Sequence, residues 1–140
     1  MKIKLIAIGK IKSNHFLTAA SDYTQRLSHY LPIEIFAARD ERHALTKIGA
    51  NDHLIACDKD GAEYSSEELS EFLDNHRSRG TKRLVFFVGG AAGIGEPIRK
   101  RANELLSFSR MTFPHELAQV ILLEQIYRAC TILKGEPYHK

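Results

Sequence analysis

Apolar and polar residues follow one another along the chain in blocks that predict strands and helices in turn. Short apolar runs bounded by glycine, proline or charged residues predict strands at residues 3–9, 33–38, 54–57 and 84–88. Apolar residues at helical spacing predict helices at residues 14–30, within 39–51, and at 65–80, 96–105 and 114–133. Residues 107–111 are predicted as a short strand or a loop. This alternation indicates an α/β fold with a mainly parallel sheet and helices on both faces.

Three local signals refine this prediction. Ser65 and Glu68 have the spacing of a capping box, which marks the start of a helix. The charged segment at residues 58–61, which ends in glycine, is predicted as a turn after the third strand. The strand at residues 84–88 is apolar at every position, as expected for a strand that helices cover on both faces.

Length and composition limit what the chain can be. Its 140 residues fit a single domain spanning residues 1–140. A net charge of +3 permits a phosphate-rich partner without requiring one. The two cysteines, Cys57 and Cys130, lack the spacing of a zinc site, so we expect no metal and two reduced thiols. The sequence shows no signal peptide and no membrane-length apolar stretch, so we expect a cytoplasmic protein.

Glycines follow the most apolar strand directly, in the sequence Gly89-Gly90-Ala91-Ala92-Gly93-Ile94-Gly95. Ligands of open α/β sheets bind at the carboxyl ends of strands, where glycine lets them approach the backbone. The loop has neither the Gly-Lys-Ser/Thr of a P-loop nor the spacing of a dinucleotide-binding turn. It therefore favours a cofactor that carries a nucleoside or an amino acid over a nucleoside triphosphate. A tight turn without a ligand is the alternative.

The glycine loop is the first of several motifs in the last third of the chain. The others are Leu106-Ser107-Phe108-Ser109 with Met111-Thr112-Phe113-Pro114-His115, Glu124-Gln125 with Tyr127-Arg128-Ala129, and the terminal Pro137-Tyr138-His139-Lys140. Together they resemble the ribosomal RNA large-subunit methyltransferase H family, a branch of the SPOUT methyltransferases. The resemblance is specific in this region and weak between Lys12 and Ser65.

The resemblance implies a fold, a reaction and partners. It implies a C-terminal trefoil knot, a homodimer and an S-adenosylmethionine pocket. It further implies methylation of N3 of a pseudouridine in 23S rRNA. The weak charge and the lack of an appended RNA-binding module favour a ribosomal surface over a naked single strand as the substrate. Two other functions remain open: methylation of another RNA such as tRNA, and ribosome-associated ligand binding without catalysis.

The same resemblance implies the site residues. The cofactor pocket would comprise Cys57, Gly89, Gly90, Phe108, Ser109, Arg110, Met111, Thr112, Phe113 and Pro114. Without the resemblance, residues 106–113 would be interpreted as a core strand whose serines bond to the backbone. Gln119 stands where many members of the family carry arginine, which removes one cation from the RNA or cofactor face.

The catalytic residues implied by the resemblance are Arg128, Tyr138, His139 and Lys140. The N3 proton of the acceptor has to leave, and His139 is a base that titrates near neutral pH. Arg128 and Lys140 can stabilise the developing anion or bind phosphate. Alternatively, His139 is an ordinary histidine and Arg128 belongs to an ion pair or a dimer interface. Glu124 lies on the apolar face of the last helix, so we expect a cation to pair with it.

Overall fold

The computed structural model describes residues 1–139, with the side chains of residues 1–138. The strands are β1 (Lys2–Ile8), β2 (Ile33–Ala38), β3 (His53–Glu63), β4 (Arg83–Val88) and β5 (Glu104–Ser107). The helices are α1 (Asn14–Leu27), α2 (Glu41–Leu45), α3 (Ser66–Ser78), α4 (Glu96–Arg101) and α5 (His115–Leu133). One turn of 3-10 helix, Pro137–His139, follows α5.

The five strands form one parallel sheet in the order β2-β1-β4-β3-β5. Helices α1, α3 and α5 cover one face, where α5 packs against both α1 and α3. Helices α2 and α4 cover the other face. The predicted α/β architecture with helices on both faces is confirmed, whereas the trefoil knot stays a prediction.

The central strand β4 is buried on both faces, as its sequence predicts. Phe86 packs into the core under α1, α3 and α5, and Phe87 packs into the core under α2 and α4. Both rings are fully inaccessible to solvent. Because β4 lies between β1 and β3, its backbone groups are paired on both edges. Polar chemistry on this part of the sheet is therefore confined to the ends of the strands.

The predicted turn at residues 58–61 is wrong. Strand β3 continues through it to Glu63 and pairs with β5 on both sides of a bulge, where Cys57 and Ala62 each lie opposite Leu106. Gly61 is required there by close approach, because a Cβ atom would lie 2.6 Å from the carbonyl carbon of Leu105. The glycine thus marks a backbone contact within the sheet.

The predicted helix at residues 96–105 is too long. Helix α4 ends at Arg101, and Glu104 and Leu105 already belong to β5. Asn103 accounts for the difference, since its N–H donates to the carbonyl of Leu54 and its Oδ1 accepts from the N–H of Leu54, both at 2.8 Å. These two bonds start the pairing with β3. The predicted strand or loop at residues 107–111 contains only the last residue of β5.

The remaining helices start and end close to their predicted positions. α5 is the longest, with 19 residues, and begins immediately after Pro114. Within residues 1–139, none of the helices is long and apolar enough to cross a membrane. The capping box is confirmed: Ser65 Oγ accepts from the N–H of Glu68 at 3.0 Å, and the Glu68 carboxylate accepts from the N–H of Ser65 at 2.8 Å.

We expect Ser65→Ala to lower the free energy of unfolding by about 1 kcal/mol, because the N–H of Glu68 loses its acceptor. Ser65→Asp is the matched control and should stay within a few tenths of a kcal/mol of wild type. Urea denaturation followed by circular dichroism measures both. Equal stability of Ser65→Ala and the wild type would show that the box does not stabilise α3.

Candidate functional site

A cavity of about 860 Å³ opens at the carboxyl end of β4 and beside Cys57, where the pairing of β3 with β4 ends. Three segments enclose most of it: residues 57–60 within β3, the glycine loop after β4, and the loop between β5 and α5. Helices α3 and α4, which follow β3 and β4, lie on opposite faces of the sheet. The cavity thus lies where open α/β sheets bind their ligands. It is lined by Cys57, Asp58, Lys59, Asp60, Val88, Gly89, Gly90, Ala91, Ala92, Gly93, Ile94, Arg99, Phe108, Ser109, Met111, Thr112, Phe113, Pro114, His115 and Ala118.

The glycine loop folds back on itself. The N–H of Gly93 donates to the carbonyl of Gly90 at 3.0 Å, and Gly93 has a φ of +80° that favours glycine. A Cβ atom on Gly89 would lie 2.5 Å from the carbonyl oxygen of Gly93, so only glycine fits there without moving the loop. Glu41 accepts a hydrogen bond from the N–H of Gly95 at 2.5 Å and ties the far end of the loop to α2.

Serine hydroxyls shape the loop on the opposite side of the cavity. Ser107 Oγ donates to the carbonyl of Ser109 at 2.9 Å, and Ser109 Oγ accepts from the N–H of Met111 at 3.0 Å. The side chains of Met111 and Phe113 remain 76% and 37% exposed. This loop is therefore fixed through its backbone while two large apolar side chains are left for a ligand or a partner to cover.

The start of α5 completes the cavity with His115 and Ala118. Glu116 accepts from the N–H groups of Lys12 and Ser13 at 3.2 and 3.1 Å, and these bonds lower the pKa of its carboxyl group. They hold the start of α5 against the segment that leads into α1.

Nine of the ten residues predicted for the cofactor pocket line this one cavity; Arg110 does not, and its side chain is exposed to solvent. Burial raises the pKa of the Cys57 thiol to about 12, so it is protonated at neutral pH and acts as an apolar wall. The cavity geometry agrees with the predicted pocket. Cofactor binding by these residues stays a prediction.

The sequence analysis missed the charged side of the cavity. Asp58, Lys59 and Asp60 line it because β3 continues past the predicted turn. Arg99 on α4 lies opposite, with its guanidinium 3.4 Å from the Asp58 carboxylate. The sequence did contain one indication of these residues. Asp58 directly follows Cys57, the last residue of the predicted third strand, and ligands bind at the ends of such strands.

The predicted catalytic residues Arg128 and Tyr138 lie elsewhere, around Glu124 on α5. The guanidinium of Arg128 donates to Glu124 from Nη2 at 2.6 Å and from Nε at 3.0 Å, and this contact raises the pKa of Arg128. The hydroxyl of Tyr138 donates to the same carboxylate at 2.9 Å. The expected cation partner of Glu124 is confirmed.

Tyr138 belongs to the C-terminal tail, residues 137–140, and packs against the ring of Tyr127 on α5. Its ring centroid lies 4.7 Å from that of Tyr127 in an edge-to-face arrangement, and the Arg128 guanidinium lies 5.1 Å from the Tyr138 ring centroid. Burial, with hydrogen bonds to Tyr23 and Glu124, raises the pKa of Tyr138. Its hydroxyl therefore stays protonated and acts as a donor.

Glu124, Arg128 and Tyr138 form a group that we call the tail cluster. Within one chain, this cluster is separate from the cavity. Neither Arg128 nor Tyr138 lines the cavity. Ala118 and Arg128 are ten residues apart on α5, which corresponds to about 15 Å along the helix axis. The side chain of His139 and the whole of Lys140 lie outside the described residues, so their predicted roles stay predictions.

Gln119, which stands where the resemblance leads us to expect arginine, is buried on α5. Among the residues whose side chains are described, none forms a hydrogen bond with its Nε2 atom. Gln119 is therefore almost completely shielded from solvent in the single chain.

Comparison with known proteins places the chain in a family. Residues 1–139 match the family model described as "Predicted SPOUT methyltransferase". Over 159 aligned positions, which cover all of both chains, the protein is 42% identical to "Ribosomal RNA large subunit methyltransferase H" of Clostridium botulinum, strain Eklund 17B. Its identity to the protein of the same name from Bacillus pumilus is 38%, again over the whole of both chains.

A solved structure supports the fold independently of sequence. The SpoU methyltransferase AviRb of Streptomyces viridochromogenes, solved in complex with the cofactor AdoMet, superimposes with a TM-score of 0.53 at 10% identity. The match covers 96% of this chain and 58% of the AviRb chain. From the family match and the full-length relatives, we conclude that this chain belongs to the SPOUT methyltransferase family, beside the ribosomal RNA large subunit methyltransferase H proteins.

Proposed function

We propose that the protein is an S-adenosylmethionine-dependent methyltransferase that methylates N3 of a pseudouridine in large-subunit rRNA. The observation that carries this proposal is the 42% identity to a named large-subunit rRNA methyltransferase over the full length of both chains. The N3 position of pseudouridine comes from the motif resemblance. An enzyme acting on ribosomes would work in the cytoplasm.

The cavity has the size and lining that such a cofactor needs. Its volume of about 860 Å³ falls within the usual range for small-molecule sites. The bare backbone of Gly89 and Gly90 and the backbone groups between Phe108 and Pro114 would bind the nucleoside. Met111 and Phe113 would cover it with apolar surface. The AdoMet complex of the AviRb neighbour supports this cofactor class for the fold.

The charged side of the cavity suits the amino-acid end of the same cofactor. Asp58 and Asp60 offer carboxylates to an ammonium group, and Lys59 and Arg99 offer cations to a carboxylate. Because both signs are present on one side of the cavity, a zwitterion would find partners for both of its charges there.

The bound cofactor supplies an activated methyl group, so the protein mainly has to align the acceptor and manage one proton. The N3 atom forms a bond to the methyl carbon, the sulfur keeps the electrons of the bond that breaks, and the N3 proton passes to a base. We assign that proton to His139. Arg128 and Lys140 would stabilise negative charge on the pseudouridine ring or bind neighbouring phosphates.

Tyr138 and Glu124 position the tail in this proposal. The Tyr138 hydroxyl is protonated and bound to Glu124, so it is a poor base. Glu124 anchors the last residues of the chain through Tyr138 and holds Arg128 at the same time. The carboxylate thus ties Tyr138, the residue before His139, to the helix that carries Arg128.

A homodimer would bring the cavity and the tail together. The two are separate within one chain, so the tail of one protomer would reach the cavity of its partner in a two-fold dimer. Met111 and Phe113 beside the cavity are exposed apolar residues that such an interface would cover. Leu117 and Ile121 share one side of α5 and stay only partly buried in the single chain.

The glycine loop provides the first test. We expect Gly89→Ala to weaken S-adenosylmethionine binding by about tenfold or more, equivalent to about 1.4 kcal/mol. The alanine side chain would collide with the carbonyl oxygen of Gly93, so the loop would have to move. Gly90→Ala should lose less, since its Cβ atom would meet only Ile8, at 3.6 Å. Calorimetric titration measures both affinities. The reverse order would contradict the proposed role of the loop.

The tail and the reaction are tested together. Wild-type protein incubated with ribosomes and labelled S-adenosylmethionine should yield N3-methylated pseudouridine in 23S rRNA, detected by nucleoside mass spectrometry. His139→Ala should cut this methylation by about a hundredfold while cofactor affinity stays within twofold. His29→Ala, an exposed histidine after α1, is the control. Label in tRNA alone, or none in any RNA, would refute the proposed substrate.

Complementation tests the shared site. Equal amounts of Gly89→Ala and Arg128→Ala protein, mixed so that protomers exchange and assayed with S-adenosylmethionine well below its Kd, should recover roughly a quarter of wild-type activity. Half of the dimers would be mixed, and each mixed dimer would have one intact site. No recovery in a mixture that has exchanged protomers would place both parts of the site in the same chain. A monomer in light scattering would exclude the dimer.

A further inference from the structure

Two histidines and one carboxylate converge at the end of the sheet opposite the cavity. His53 is the first residue of β3, Glu104 is the first residue of β5, and His76 lies near the end of α3. One ligand atom from each lies within 4.8 Å of the other two. His53 and Cys57 are four residues apart on β3, so this cluster is about 13 Å along the strand from Cys57 at the cavity. The proposed methyltransferase function uses none of the three.

We propose that His53, His76 and Glu104 bind one divalent transition metal ion of the Zn²⁺ type. Two imidazole nitrogens and a carboxylate oxygen are a ligand set that zinc, cobalt and nickel accept, with the fourth position left to water. An open cavity of about 350 Å³ reaches His76 and Glu104, so an ion and a water can enter from solvent. The three residues are far apart in sequence, which is why spacing alone gave no sign of a metal site.

The ligand atoms are already close to a common point. His53 Nε2 lies 2.5 Å from Glu104 Oε2, and His76 Nε2 lies 4.0 Å from the same oxygen. Small rotations of these side chains would place all three atoms at bonding distance from one ion. The strand pairing supports this placement, since Glu104 lies opposite Ile55, two residues after His53 on the same face of β3.

His76 is prepared for binding by its surroundings. It is 2% exposed, and its Nδ1 lies 2.8 Å from Thr81 Oγ1, which fixes the ring and leaves Nε2 directed at Glu104. Phe72 packs against the ring with centroids 4.7 Å apart.

Arg79 is the group that opposes an ion here. Its Nη2 lies 3.1 Å from His76 Nε2, where a metal would have to bind. The side chain of Arg79 is exposed, so it can turn into solvent when the ion enters. The guanidinium thus lowers the metal affinity without blocking the site, and removing it should strengthen binding.

Calorimetric titration of the tag-free wild-type protein with Zn²⁺ tests the proposal. We expect one ion per chain, and affinity that falls about tenfold or more in His53→Ala and in Glu104→Gln, since each removes a ligand. His29→Ala, which removes an exposed histidine outside the cluster, should bind like wild type. Arg79→Gln should bind more tightly than wild type. Equal affinity of wild type and His53→Ala, or weaker binding by Arg79→Gln, would overturn the site.

X-ray absorption of the wild-type zinc complex keeps the test independent of variant folding. The proposed site requires two imidazole nitrogens, with oxygen atoms completing the coordination. A spectrum with fewer than two imidazoles, or with sulfur, would place the ion elsewhere and refute the proposal. Zn²⁺ should also raise the Tm of wild type more than that of folded His53→Ala, because the stabilisation falls as the affinity of the folded cluster for the ion falls.

Discussion

Burial of β4 on both faces is the constraint on which the rest of this structure depends. Phe86 and Phe87 point into the two separate cores, and neither ring reaches solvent. Helices on both sides of β4 exclude polar side chains from both faces of this strand between Leu84 and Val88. Ligand-directed side chains can then gather only where strands end, because backbone and side chains meet solvent there. The cavity lies at the carboxyl end of β4, where its pairing with β3 ends, and the histidine cluster lies at the start of β3.

Helix α5 connects the two parts of the proposed active site. Its first turn contributes His115 and Ala118 to the cavity, and its last turns hold Arg128 and the tail through Glu124. A helix is rigid over this length, so one chain keeps the two parts about 15 Å apart. The buried side of α5 fixes the helix to α1 and α3, while Leu117 and Ile121 remain partly accessible. In the proposed dimer, the same rigid helix would present its tail to the partner's cavity.

Sequence patterns located the elements well where the signal was local. The apolar run of β4 and the Ser65–Glu68 capping box both appear in the structure as predicted, because each depends on residues that are neighbours in the chain. The errors fall where a distant partner overrides a local signal. Asn103 ends α4 early by pairing with Leu54, and Gly61 serves a contact with Leu105 inside a strand. Neither partner can be identified from the residues next to it.

The loop before Pro114 was assigned to the site through the family resemblance, whereas the sequence by itself determined the glycine loop and most of the strands and helices. Those features follow from residue types at short spacing, since glycine, proline and apolar runs act on their own backbone. Only the tertiary structure decided that Asp58–Asp60 and Arg99 face the same cavity, and that the tail cluster is separate from it. It alone brought His53, His76 and Glu104 together. Strand register and helix crossovers set these contacts, and they depend on how the whole core packs.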